Sequence, residues 1–176
     1  MTDVRLPEGA QVVPLAREHP RKAFRSGQPL VDDWLGTKAL QQQEKHLSAT
    51  KVLLDSAGHI LGYYTIAPGQ VDYAGLPPEL VKRLPKRPLP VAVLAWLGID
   101  ERHAGQGLGS RLLAHALRHC YDASKVFPFV AVIIDCLDDD SKHFFEKFDF
   151  DEVPGNPYRL FLSIQRLEAS MESRED

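Results

Sequence analysis

The stretch Leu94–Leu113, LAWLGIDERHAGQGLGSRLL, constrains this chain more than any other. The apolar residues Val91, Val93, Leu94, Leu97 and Ile99 have the length and composition of a buried strand. The run leads into a glycine-rich turn (Gly105, Gln106, Gly107, Leu108, Gly109), and that turn opens directly into a helical pattern. Glycine lets a backbone approach a ligand closely with its N–H groups aimed at it, and a helix N-terminus adds positive potential. Strand, glycine turn and helix together make a site for a phosphorylated ligand.

Spacing excludes two common phosphate loops. A Walker loop needs Gly-Lys-Ser/Thr after its last glycine, whereas Gly109 is followed by Ser110 and Arg111. The dinucleotide fingerprint fails too, because its third glycine, counted from Gly105, falls on Ser110. A turn without a ligand is the plainer alternative, but few turns need three glycines in alternation before a helix.

At 176 residues the chain reads as one domain over 1–176, with residues 1–10 and 170–176 loose. No run reaches the length of a membrane span, and no charged-then-apolar leader opens the sequence. Cys120 and Cys136 are far apart and lack metal-type spacing, which points to a reduced, cytoplasmic protein. A net charge of −3 excludes a protein that is basic all over. It leaves room for local basic faces: Lys82, Arg83, Lys86 and Arg87 form one, and Arg17, Arg21, Lys22 and Arg25 a looser one.

In order, the chain predicts a strand at Gln11–Leu15, a turn at Phe24–Gly27 and a helix from Leu30 that carries Val31, Trp34, Leu35 and Ala39 on one face. A hairpin follows, Thr50–Leu54 with Ile60–Ala67, ended by Pro68 and Gly69. A short helix is expected at Glu79–Leu84 and a longer one at Leu108–Cys120, where Arg111, His115 and Arg118 line the polar side. Phe129–Cys136 reads as a buried strand, and Asp138, Asp139 and Asp140 open a helix carrying Phe144, Phe145 and Phe148. Tyr158–Leu167 reads as the closing strand. The class is mixed α/β (α+β) with a mostly antiparallel sheet flanked by helices.

The segments FRSGQPLVDDWL (Phe24–Leu35), LGYYTIA (Leu61–Ala67), LPKRPLPVAVLAWLGID (Leu84–Asp100), GQGLGSRLLAHAL (Gly105–Leu117), VIIDCLDDDSKHFFEKFDF (Val132–Phe150) and RLFLSI (Arg159–Ile164) follow one another along the chain. In that order the chain resembles the GNAT acetyltransferases, and within them the toxins of toxin–antitoxin pairs that have ribbon–helix–helix antitoxins. The resemblance implies acetyl transfer from acetyl-CoA to the α-amino group of an aminoacyl-tRNA, which blocks translation. It implies that Gly105, Gln106, Gly107, Leu108, Gly109 and Ser110 hold the pyrophosphate, and that the backbone of Leu97, Gly98 and Ile99 meets the pantetheine arm and the thioester oxygen. Lys82, Arg83, Lys86, Arg87, Arg111 and Arg118 would meet tRNA phosphates, and a homodimer is the family expectation.

The chain departs from the family at four places. Phe145 stands where the family has the tyrosine that protonates the departing thiolate. Asp149 replaces a glycine, which predicts a changed turn before Phe150. Trp96 takes the place of an arginine on the central strand, and Ala104 that of a Gln or Arg at the start of the loop. The catalytic residue is therefore not assigned; Trp96 and Tyr64 are candidates for the acceptor pocket. Two further readings follow: a GNAT acting on a small amine or a protein N-terminus, and a weak or inactive acetyl-CoA-binding relative.

Other constellations carry less. His115 and His119 have metal-compatible spacing, but the glutamate of His-Glu-x-x-His is absent, so no metal is expected. The acidic run Asp135–Asp140 is read as a helix cap, and Cys136 as packing. Tyr63 and Tyr64 point to opposite faces of their strand, so one of them could offer a replacement hydroxyl.

Overall fold

A computed structural model describes residues 5–174. The expected loose ends at 1–4 and 175–176 lie outside the described residues. By contact the chain divides into two compact units. One is built from the residues up to Ala67 together with Leu94–Leu117, the other from Pro68–Val93 and the residues from Arg118 onward.

The first unit begins with β1 (Gln11–Pro14), which pairs antiparallel with β2 (Ala49–Leu54), and β2 pairs with the following strand β3 (Ile60–Val71). Between β1 and β2 the helix foreseen from Leu30 is not continuous. It runs as α1 (Pro29–Asp33), a π turn (Trp34–Lys38) and α2 (Ala39–Glu44). The Ala39 N–H closes the π turn onto the Trp34 carbonyl, and Thr37 Oγ1 back-bonds to the Asp33 carbonyl at 2.8 Å. Tyr63 Oη donates to the Val31 carbonyl at 2.6 Å, holding this helix against β3. Around that bond Leu15, Phe24, Val31, Leu35, Ala39, Val52 and Ile60 close the core of this unit.

Strand β3 continues to Val71, so Pro68 and Gly69 do not end it as the sequence predicts. A Cβ at Gly69 would come within 2.8 Å of Val93 Cγ2; glycine stands there because the neighbouring strand comes close. α3 is short (Pro78–Val81) and precedes β4 (Leu89–Ile99).

In the second unit β5 (Ala131–Asp135) runs parallel to β4 through Ala92↔Val132 and Val93↔Ile133, whereas β4 itself continues to Ile99. β6 (Asp151–Val153), which the sequence did not suggest, pairs with β7 (Asn156–Ser163). The expected closing strand stops at Ser163, whose side chain accepts from the Arg166 N–H and caps α6 (Ile164–Glu172). Residues 170–172 are thus helical rather than loose. Leu76, Val81, Leu89, Val91, Ala131, Ile133, Val153 and Phe161 form the apolar core of this unit. The strand order is β1-β2-β3-β4-β5-β7-β6, mostly antiparallel as expected. The remaining helices are α4 (Leu108–Ser124) and α5 (Asp139–Glu146).

Candidate functional site

The glycine turn in the first unit has the geometry of an anion cradle. Gly105 and Gly107 have φ of +77° and +75°, a left-handed backbone that side chains rarely adopt, and nothing stands within 4 Å of where a Cβ would be. Gly105, Gln106 and Gly107 are exposed, while Leu108 is buried and fixes the start of α4. The Arg111 N–H bonds the Gly107 carbonyl at 3.3 Å, and the amides of Leu108, Gly109 and Ser110 precede that bond at the helix terminus. Bare backbone, open space and a 17-residue helix pointing its N-terminus at the turn suit a pyrophosphate.

The strand feeding the turn is held from beneath. Gly98 is buried, and a Cβ there would lie 2.5 Å from Val31 Cγ1, with Phe24 and Tyr63 close behind. Leu97 and Ile99 are half-buried. Asp100, which the sequence reading passed over, is fully buried and organises the strand end. Its carboxylate accepts from the Arg25 N–H, the Arg102 N–H and the Arg102 guanidinium. Burial alone raises the Asp100 carboxyl, but the Arg102 side chain and the amides of Arg102 and Arg25 outweigh it and hold the group below the usual range. An aspartate closing an apolar strand and capping a short turn is the signal that would have found it.

Trp96 stacks on Trp34, with ring centroids 5.4 Å apart and planes 14° from parallel. Trp34 Nε1 donates to Thr65 Oγ1 at 3.0 Å, and Thr65 shares a 2.7 Å hydrogen bond with Thr50. Both rings are half-buried. Tyr63 and Tyr64 are buried; the Tyr63 hydroxyl is committed to Val31, and burial, then the Asp32 charge, push its pKa up.

In the second unit Phe145 is buried on α5, edge-on to Phe144 at 5.1 Å and to Phe150 at 6.1 Å. The helix starts where the aspartates predict: Asp138 and Ser141 form a capping box. Asp139 accepts from the Tyr158 hydroxyl, and Asp135 holds Arg159 through both oxygens. Asp149, where the sequence predicts a changed turn, has φ of +68°, the left-handed form that favours glycine. Burial, then the Asp135 charge, push the Cys136 thiol up to about 11, which keeps it protonated.

Lys82, Arg83, Lys86 and Arg87 are exposed in this unit and make no ion pair among the described residues. Arg118 pairs with Asp122 at 3.3 Å and lies over the Tyr121 ring; Arg111, in the other unit, is half-buried. Among the described residues no group of His, Cys, Asp and Glu is arranged to hold a metal, and no helix is long and apolar enough to cross a membrane.

The acetyltransferase (GNAT) family profile matches residues 14–150. The chain belongs to the GNAT family. The curated tRNA-acetylating toxin of Mycobacterium tuberculosis (strain ATCC 25618 / H37Rv) is 33% identical over 143 residues, covering 81% of this GNAT chain and 85% of the toxin. Among solved structures, AtaT complexed with acetyl-methionyl-tRNAfMet shares the fold at a TM-score of 0.85 and 23% identity, over 92% of this chain and 99% of that one. A Tyr-to-Phe mutant of the toxin AtaT, bound to the C-terminus of the antitoxin AtaR and acetyl-CoA, shares it at 0.79 and 22%, over 93% and 99%.

Proposed function

We propose that this GNAT acetyltransferase transfers acetyl from acetyl-CoA to the α-amino group of aminoacyl-tRNA and thereby blocks translation. The cradle at Gly105 and Gly107, open where a Cβ would stand and leading into α4, carries the reading. The similarity to a tRNA-acetylating toxin supports the acceptor.

In this reading the amides from Gly105 to Ser110 hold the pyrophosphate. Leu97, Gly98 and Ile99 offer backbone groups to the pantetheine arm and to the oxygen that gains charge as the amine attacks. The new bond joins the amine nitrogen to the acetyl carbon as the carbon–sulfur bond breaks; a thiolate departs, and the proton shed by the nitrogen passes to water. Phe145 has no proton to give that thiolate. A thiol of pKa about 8.5 is a tolerable leaving group unaided, so positioning and backbone donors sustain a slow transfer. The Trp34–Trp96 stack and Tyr64 shape the acceptor side. Lys82, Arg83, Lys86, Arg87, Arg111 and Arg118 meet tRNA phosphates, and the chain works as a homodimer restrained by a ribbon–helix–helix antitoxin.

A binding role is the second reading, favoured by the burial of Phe145 among Phe144 and Phe150. Transfer of labelled acetyl from acetyl-CoA to a pool of charged tRNA decides between them. Label on the RNA with the wild-type protein supports the toxin reading. Label with neither wild type nor Phe145→Tyr, while acetyl-CoA still binds, refutes it in favour of another acceptor or a binding protein.

A further inference from the structure

Away from the glycine turn, the first unit holds a cleft of about 240 Å³ whose chemistry the acetyl-transfer reading does not use. Arg17, Arg21, Gly36, Leu40, Gln41 and Glu44 are among the residues that line it. Arg17 is already neutralised by an ion pair with Glu44. Arg21 is not: its Nη1 is sealed from solvent and has no hydrogen-bond acceptor among the described residues. The sealed nitrogen itself lies out of a ligand's reach, so what Arg21 gives the cleft is charge: a half-buried cation with no ion pair among the described residues.

The helix beside it is also unusual. The π turn Trp34–Lys38 places Gly36 on the cleft wall, and nothing lies within 4 Å of where its Cβ would be. Such single widened turns frequently mark functional sites. The wall therefore offers an apolar flank at Leu40, an amide at Gln41 and one uncompensated cation.

We propose that this cleft docks the carboxylate side chain of an acidic peptide segment from a partner protein, with Arg21 as its anchor. The charge count selects the ligand: two arginines and one glutamate leave a single positive charge, which matches one carboxylate. A nucleic-acid phosphate fits less well, since the Glu44 carboxylate would face a string of negative charge. Leu40 suits the methylene stem of a glutamate and its apolar neighbours.

The test is an NMR titration of the intact protein, following the arginine Nε–Hε resonances. The probes are acetyl-Leu-Glu-Leu-amide, the same peptide with glutamine, and inorganic phosphate. The glutamate peptide is expected to shift Arg21 to saturation, with affinity roughly tenfold better than the glutamine peptide, the usual margin for a charged over a neutral hydrogen bond. Arg21→Gln, followed on the side-chain amide of Gln41 in the same cleft, removes the preference for the glutamate peptide. Gly36→Leu, which fills the cleft from an unstrained helical position and leaves Arg21 in place, also removes it, so the proposal stays testable if Arg21→Gln does not fold. Equal affinity for the two peptides, saturation by phosphate at lower concentration than by the glutamate peptide, or an unmoved Arg21 resonance at millimolar peptide overturns the proposal. None of these outcomes bears on acetyl transfer, which is measured separately.

Discussion

Asp100 Oδ2 accepts the backbone N–H of Arg25 at 3.2 Å, joining residues 75 positions apart in sequence. The neighbouring Glu101 N–H donates to the Arg25 carbonyl at 2.7 Å, and the Asp100 N–H to the Leu61 carbonyl at 2.8 Å. One strand end is thus tied to the Phe24–Gly27 turn and to β3 just before the glycine cradle begins. Asp100→Ala leaves the Arg25 and Arg102 amides without their acceptor and is expected to lower stability by about 2–3 kcal/mol in urea unfolding.

The same carboxylate predicts an acid dependence. Its folded pKa is depressed, so its contribution is complete above the unfolded value of about 3.9 and is lost as pH falls through the folded value. Urea midpoints taken downward from about pH 6 should fall less steeply for Asp100→Asn than for wild type, because the variant has no such group to protonate. Parallel curves would show that Asp100 is not the group involved.

Gly107→Ala is expected to weaken acetyl-CoA binding by roughly tenfold or more, since a side chain at φ +75° is strained and its methyl enters the cradle. Calorimetry with acetyl-CoA reads this. Unchanged circular dichroism would show that the loss is local to the site.

Phe145→Tyr puts a phenol at the position where the resemblance implies a proton donor. Turnover should rise on the order of 10²-fold, the lower end of general acid catalysis, with KM for acetyl-CoA nearly unchanged. A gain confined to KM would argue that the new hydroxyl binds rather than protonates.

Asp149 holds a left-handed backbone at φ +68°. Asp149→Gly should raise the melting temperature by relieving about 1 kcal/mol, because the Arg166 bond at this residue goes to its carbonyl and survives the change. A lower melting temperature would mean that the aspartate side chain contributes more than the strain costs.

If Lys82, Arg83, Lys86 and Arg87 meet phosphates, KM for charged tRNA should climb steeply with salt, and replacing two of them by glutamine should flatten the slope by about two contacts' worth. KM for acetyl-CoA should move far less.

The glycine turn was legible because its chemistry is local. Spacing alone marks Gly105 and Gly107, and α4 starts at Leu108 as the pattern says. The aspartates announced the α5 cap for the same reason. What stayed hidden depends on partners distant in sequence. Gly69 looks like a strand breaker, yet it serves a close approach of Val93. The Trp34–Trp96 stack joins two helix- and strand-borne rings that no periodicity links. At the chain's end, the apolar content of Tyr158–Leu167 fitted a strand; the cap at Ser163 that turns the chain into α6 is followed by no glutamate, the usual helper in such a box.

The π turn has one more consequence. A helix advances about 100° per residue, so the extra residue between Trp34 and Lys38 rotates everything after it. That rotation sets the angle at which Gln43 leaves the helix, and Gln43 bridges the Leu15 carbonyl at 2.9 Å and the Thr50 N–H at 3.0 Å. The widened turn therefore works as a phase shifter: it aims a single amide at the two strand ends it must clamp.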